Sequence, residues 1–365
     1  MHVPDGFIDA PVSIAAGVAA AGAVAVSLRG ARRELGGTSQ AEGSGGERAA
    51  PLAGLVAAFI FAVQMLNFPV AAGTSGHLLG GALAAILVGP YTGVLCVSVV
   101  LLMQGVLFAD GGLTALGVNV MNMAVVTVVV AYAVFRGLLK LLPDTRRSVT
   151  VAAFAGALLS VPGAAVMFTL LYALGGTTDV PLGKVFTAMV GVHVLIGIGE
   201  AVITAATVGA VLAVRPDLVH GARGLAAPLK LRVGGELVDA PSAAPVAAPA
   251  AARSTKPVWI TGLITALVLA GFVSFYASTS PDGLEKVAAD KGIDQNVKEH
   301  ATADSPLADY SVKDVGDARL SGGLAGVIGV GATVAVGTGI FWTVRRRRAE
   351  DLTAASTSST ASTAV

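Results

Sequence analysis

The sequence predicts an all-α, polytopic integral membrane protein with about seven transmembrane helices followed by a two-helix C-terminal module. Three observations lead there. Hydrophobic residues make up 54% of the chain and charged residues only 13%; the mean hydropathy is +0.77; and the apolar residues fall into runs close to the roughly 20 that a helix needs to cross hydrocarbon. A soluble globular domain has about twice this charge content.

The runs cover residues 11–28, 51–66, 78–88, 91–108, 117–135, 150–174, 185–214, 258–275 and 322–344. The third is short and reads as partly re-entrant. The first is not a cleavable signal peptide, because no basic segment precedes it and its charges follow it. Basic residues set the orientation: Arg29, Arg32 and Arg33 follow the first run, Arg136, Lys140, Arg146 and Arg147 the fifth, and Arg215 and Arg223 the seventh. With those loops cytoplasmic, the N-terminus lies outside the plasma membrane, and so does the loop between the second and third runs. Arg345 to Arg348 close the last run as a cytoplasmic stop. The Gly-rich insertion 36–46 is low in complexity and cytoplasmic by the same count.

The chain begins Met1-His2-Val3-Pro4-Asp5-Gly6. A histidine beside a free α-amine is a chelate: the amine, the His2 backbone nitrogen and imidazole Nδ1 close a five-membered and a six-membered ring around one cation. The amine must stay free and the His2 amide must lose its proton, which an ion of Ni(II) or Cu(II) type drives in tetragonal geometry. Removal of Met1 by methionine aminopeptidase is not expected, because the next side chain is large. The alternative is a surface histidine on a frayed terminus. The glycine-rich loop Gly73-Thr74-Ser75-Gly76-His77 falls on the same face by topology, so His77 can supply a fourth nitrogen; otherwise it is a loop histidine bonded to hydroxyls such as Ser75. Co(II), which also takes imidazole, fits with less geometric preference.

At these residues the chain resembles the CbiM/NikM family, the substrate-binding membrane subunits of cobalt and nickel energy-coupling factor transporters. The resemblance is carried by Met-His-Val-Pro-Asp-Gly-Phe at 1–7, Gln-Met-Leu-Asn-Phe-Pro-Val at 64–70, Gly-Thr-Ser-Gly-His-Leu-Leu-Gly-Gly at 73–81, the segment 108–117, Asn-Val-Met-Asn-Met-Ala at 119–124 and Gly-Val-His-Val-Leu-Ile-Gly-Ile-Gly-Glu at 191–200. It implies metal ligation by Met1, His2 and His77, a transmembrane coupling subunit and cytoplasmic ATPases as partners, Co(II) or Ni(II) as cargo and no permanent cofactor. Ser-Pro-Asp-Gly-Leu-Glu-Lys at 280–286 similarly resembles the PDGLE domain, a two-helix accessory subunit that accompanies such transporters.

Other polar groups read two ways. Asp5, Ser75, Asn119 and Asn122 are candidates to hydrogen-bond the ligand residues and orient them, the two asparagines following the external Asp110-Gly111-Gly112 turn. His193 and Glu200 share one helix face seven residues apart and either orient the site or hold helices together, the second being favoured; Gln104 invites the same split. The small-residue rows Ala15-Gly17-Ala19-Ala21 and Ala53-Ala57 allow close helix approach within the chain or to a partner. Cys96 is the sole cysteine and excludes a disulfide within the chain or a thiolate cluster. No phosphate loop, nucleophile elbow or His-Glu-x-x-His helix is present, so the chain is not expected to be an enzyme, and ATP hydrolysis belongs to another polypeptide. No nucleic-acid partner is expected.

The expected organisation is a metal-binding membrane subunit at 1–225, an Ala/Pro-rich cytoplasmic linker at 226–256, a PDGLE-like module at 257–348 with its polar loop outside, and a disordered tail at 349–365. In the loop, Asp282, Glu285, Asp290 and His300 either attract cations and cover the site or are simply solvated. A self-sufficient carrier or channel for divalent cations is the competing reading, but it needs a continuous polar path at mid-membrane, and His193 and Glu200 on one helix are too few. A membrane metal sensor is the third.

Overall fold

The computed structural model describes residues 1–35, 49–71, 73–225, 230–233, 236–239 and 254–362. Its first 9 residues are threaded inward. Met1 and Val3 are buried, Ile8 bridges to Gly176, and the Asp9 amide donates to Gly175 O at 2.7 Å. Helix α1 (Ala10–Leu35) then runs to the opposite end, where Arg32 and Arg33 in the last turn complement its dipole.

Helix α2 (Ala49–Gln64) returns and leads into a hairpin of β1 (Phe68–Ala71) and β2 (Thr74–Gly76). Next comes α3 (Gly81–Val88), only 8 residues. At about 1.5 Å per residue it is too short to span by itself; with the extended residues before it, it carries the chain from the end that holds Met1 and His77 to the end where α1 finishes, Gly89 lying beside Glu34, and so it does not turn back as a re-entrant segment. Irregular backbone at this depth survives only where its polar groups find partners inside the protein. Here the carboxylate of Glu200 accepts from Leu79 N at 2.6 Å and Gly80 N at 3.0 Å, while Gln64 Nε2 donates to Leu79 O at 2.9 Å. Helix α4 (Pro90–Leu107) starts beside the C-terminal end of α1, and Glu34 caps it by accepting from Thr92 N at 2.7 Å.

The fifth run is one continuous rod with an irregular middle: α5 (Leu116–Asn119), a π-helical stretch (Val120–Val126) and α6 (Thr127–Leu139). A π turn of this kind is frequent beside functional positions, and the sequence periodicity alone did not disclose it. Helices α7 (Arg146–Gly175) and α8 (Leu182–Val214) form a long antiparallel pair. Among the described residues seven helices are long and apolar enough to cross a membrane, two of them in the C-terminal module. Large apolar side chains such as Ile14, Val18, Leu170, Ile198 and Ile264 are more than half or nearly half exposed, as lipid-facing surfaces require.

The C-terminal helices, α9 (Lys256–Gly271) and α11 (Ala318–Ser362), pack on α2. Small residues make that contact. A Cβ at Gly329 would collide with Phe61, one at Gly54 with Thr338, and a Cβ at Gly337 would lie 3.8 Å from Ala57. The Ala53–Ala57 row is therefore used inside the chain. On α1, Gly17 packs against Gly117 in the same manner, whereas Ala15, Ala19 and Ala21 face outward.

Within the expected linker at 226–256 lies a hairpin, β3 (Lys230–Val233) paired with β4 (Glu236–Asp239), where strand-forming Val and Leu residues flank a Gly-Gly turn signal. Helix α11 continues to Ser362, with no Gly or Pro after Gly339 to stop it. Residues 226–229, 234–235 and 240–253 of the linker, the insertion at 36–46 and residues 363–365 lie outside the described residues.

Candidate metal centre

The N-terminal segment is held by a clamp. Asn119 Oδ1 accepts from Val3 N at 2.7 Å and Asn119 Nδ2 donates to Val3 O at 3.0 Å, while Gly112 N donates to the same carbonyl at 2.9 Å. Asp5 Oδ1 accepts from Thr114 N at 2.8 Å. Gly111, at φ 79°, and Gly112 permit this approach: a Cβ on the first would press on Asn119 and His2, and one on the second would overlap Asp5.

Clamped this way, the Met1 amine lies 2.9 Å from His77 Nε2 and, closer still, against Asp282 Oδ2. His77 Nδ1 is 2.9 Å from Leu78 O, which accepts a hydrogen bond and so fixes the tautomer with a lone pair on Nε2, aimed at the amine. The two imidazoles stack with centroids 5.2 Å apart. Burial lowers the His2 pKa to about 4, with Asp110 opposing, so the ring is neutral near neutrality. His2 Nε2 faces Gln104 Oε1 at 3.1 Å and Nδ1 faces Asp110 Oδ1 at 3.2 Å. A neutral ring donates to one of them only. Donation to Gln104 leaves the Nδ1 lone pair that chelation needs, once Nδ1 turns from Asp110.

Among the described residues no three His, Cys, Asp or Glu side chains converge to hold a metal ion. What converges is an amine, an imidazole and one carboxylate, all buried.

The carboxylate comes from the C-terminal module. Asp282 caps α10 (Gly283–Lys291), its Oδ1 accepting from Leu284 N at 2.7 Å and Glu285 N at 2.9 Å. Burial alone would raise its pKa, but the N-terminal ammonium and His77 outweigh burial and hold it well below the carboxylate range. The turn is pinned by Ser75, whose N and Oγ donate to Pro281 O at 2.8 Å and Ser280 O at 2.7 Å. Further along, His300 Nε2 meets Gly111 O at 3.1 Å, and Tyr310 OH donates to Asp110 Oδ2 at 2.6 Å. Burial and then Asp110 raise the Tyr310 pKa well above its usual value, so the phenol keeps its proton. The loop thus lies over the N-terminus and is not simply solvated. Beside it a cavity of about 740 Å³ is bordered by His2, Asp110, Asp282, Glu285, Tyr310 and Arg319.

Met1, His2, His77, Asp5, Ser75 and Asn119 are therefore brought into one region. Ser75 serves the covering loop; His77 does not bond to it. Asn122 does not join them: it is fully buried in the π stretch, and neither amide atom has a hydrogen-bond partner among the described residues. Asp290 pairs with Lys286 on the exposed side of α10. His193 Nδ1 is 2.7 Å from Met189 O in its own helix, and the ring borders Met1, His77 and Asp282. Asp110 and Tyr310 were not singled out from the sequence, because an isolated acid in a turn and a tyrosine in a polar loop carry no spacing signal.

The fold and site define a polytopic membrane protein with a buried, nitrogen-rich N-terminus closed over by the loop of a C-terminal two-helix module. The family model described as cobalt uptake substrate-specific transmembrane region, CbiM, matches residues 2–218, and the PDGLE domain model matches residues 256–346. The chain belongs to the CbiM family, fused to a PDGLE domain. A protein of Haloquadratum walsbyi named for metal transport is 39% identical over 219 residues, 60% of this chain and 93% of that one. One of Archaeoglobus fulgidus named for fused nickel transport is 39% identical over 222 residues, 60% of this chain and 68% of that one. The fused nickel transport protein of Rhodobacter capsulatus is 36% identical over 241 residues, 62% of this chain and 66% of that one.

Proposed function

We propose that this chain is the substrate-capture subunit of an ATP-driven energy-coupling factor importer for Co(II), Ni(II) or both. The ion is held at the outer face of the plasma membrane by the Met1 amine, the His2 amide and Nδ1, and His77 Nε2. The observation that carries this reading is the buried Met1 amine 2.9 Å from a His77 lone pair. Metal–nitrogen bonds of about 2.0–2.1 Å put two cis donors about 2.9 Å apart. Asn119, Asp5 and Gln104 orient the ligands, and the PDGLE module covers the site and assists loading.

Family membership and the nickel and cobalt names of relatives support metal import. The exposed small-residue face of α1, Ala15, Ala19 and Ala21, suits docking of a transmembrane coupling subunit, and ATP is hydrolysed on separate cytoplasmic subunits.

The test is equilibrium binding of Ni(II) and Co(II) to the purified chain with its native N-terminus and with one alanine placed before Met1. Loss of high-affinity binding in a folded, extended protein is expected, since the amine would be replaced by an amide. Undiminished binding would overturn the chelate.

A further inference from the structure

We propose that Asp282 of the PDGLE module is itself a ligand of the transported metal, adding a carboxylate oxygen to the donors of Met1 and His77, so that both modules share one coordination sphere. This rests on the site reading given above.

The geometry carries it. Asp282 Oδ2 touches the Met1 amine and lies 3.5 Å from His77 Nε2. Its other oxygen is fully engaged by the Leu284 and Glu285 amides, so Oδ2 alone is directed at the nitrogen donors. The backbone is fixed from both sides, by Glu285 Oε2 accepting from Asp282 N at 2.9 Å and by Ser75 on the preceding two carbonyls. The next residue shows that this seat is shaped for the turn: a Cβ at Gly283 would come within 2.7 Å of Ile196 Cδ1 and 3.2 Å of His193 Cε1. Glycine lets the carboxylate reach this depth.

The contact already pairs opposite charges: the buried Asp282 carboxylate lies against the N-terminal amine, so a cation held at that amine meets the same carboxylate, and a buried carboxylate left without a cationic partner is costly. Oxygen donors also suit Co(II), which accepts a fifth ligand more readily than planar Ni(II) does.

The test uses the full chain loaded with cobalt(II) chloride and compares wild type with Asp282→Asn and Asp282→Ala. Asparagine remains a good helix cap, so α10 persists and only the charged donor is lost. The expected result is a changed Co(II) visible and EPR spectrum and at least the about 10- to 100-fold weaker binding that loss of an outer-shell partner brings. A spectrum and affinity equal to wild type in both variants would overturn the proposal. So would tighter binding, which would make Asp282 a competitor of the ion. His77→Ala in the same series separates the two levels of inference. If it binds Co(II) like wild type, the site reading itself fails; if it loses binding while Asp282→Asn keeps the wild-type spectrum, only the Asp282 assignment fails.

Discussion

Glu200 lies in α8, yet its work is done on the loop that carries His77. Its carboxylate is buried and accepts from Leu79 N and Gly80 N, two and three residues beyond His77. Glu200→Ala leaves two buried N–H donors without a partner at about 1–3 kcal/mol each, or about 2–6 kcal/mol together. Glu200→Gln keeps one acceptor oxygen and turns an NH₂ toward the other amide, for about 1–3 kcal/mol. The shift is about 2–4 °C per kcal/mol in chains of 150–250 residues and less in longer ones, so in this 365-residue chain the alanine variant should melt lower by about a few °C, and the glutamine variant should fall between it and wild type. Circular dichroism melts in detergent read this directly, with Ni(II) titration alongside, because a loosened 77–80 segment also weakens His77. An alanine variant that melts with wild type and binds Ni(II) equally would refute the capping argument.

Two further outcomes are expected. Asn119→Ala removes two of the three bonds that clamp Val3 and should weaken metal binding by about 10- to 100-fold; Asn119→Asp should not rescue it, because a carboxylate oxygen would then face Val3 O. Unchanged titration curves for both would count against the clamp. Acid should destabilise the metal-free protein. His2 titrates near 4 in the fold against 6.5 in the open chain, so the unfolded state takes up its proton first, and about 3 kcal/mol is lost as pH falls from 6.5 toward 4. Asp282, depressed below the carboxylate range, adds loss in the same direction at lower pH. Melting temperatures that stay flat from about pH 7 to about pH 4.5 would contradict this sign.

Local patterns revealed much of this protein. Continuous apolar runs with flanking arginines disclosed the spans, and the positions of α1, α4, α7, α8 and α9 follow them closely. The short third run disclosed a helix of only 8 residues. The Met-His start and the Gly73–His77 loop pointed to the nitrogen atoms that the fold brings together, Met1 N and His77 Nε2. The π stretch after Asn119 escaped notice, since a regular helix and a π turn have nearly the same apolar spacing.

Tertiary structure alone decided how deep the N-terminus lies, which tautomer His77 takes and what stands opposite the amine. The Asp282 contact joins residues 281 positions apart, and the Glu200 cap joins residues 120 and 121 apart. Neither has a spacing to read in one sequence. They exist because a buried ammonium, a buried carboxylate and two buried amides each need a partner inside the protein, and only the packing of α8, the β1–β2 loop and the PDGLE turn determines which partner is near.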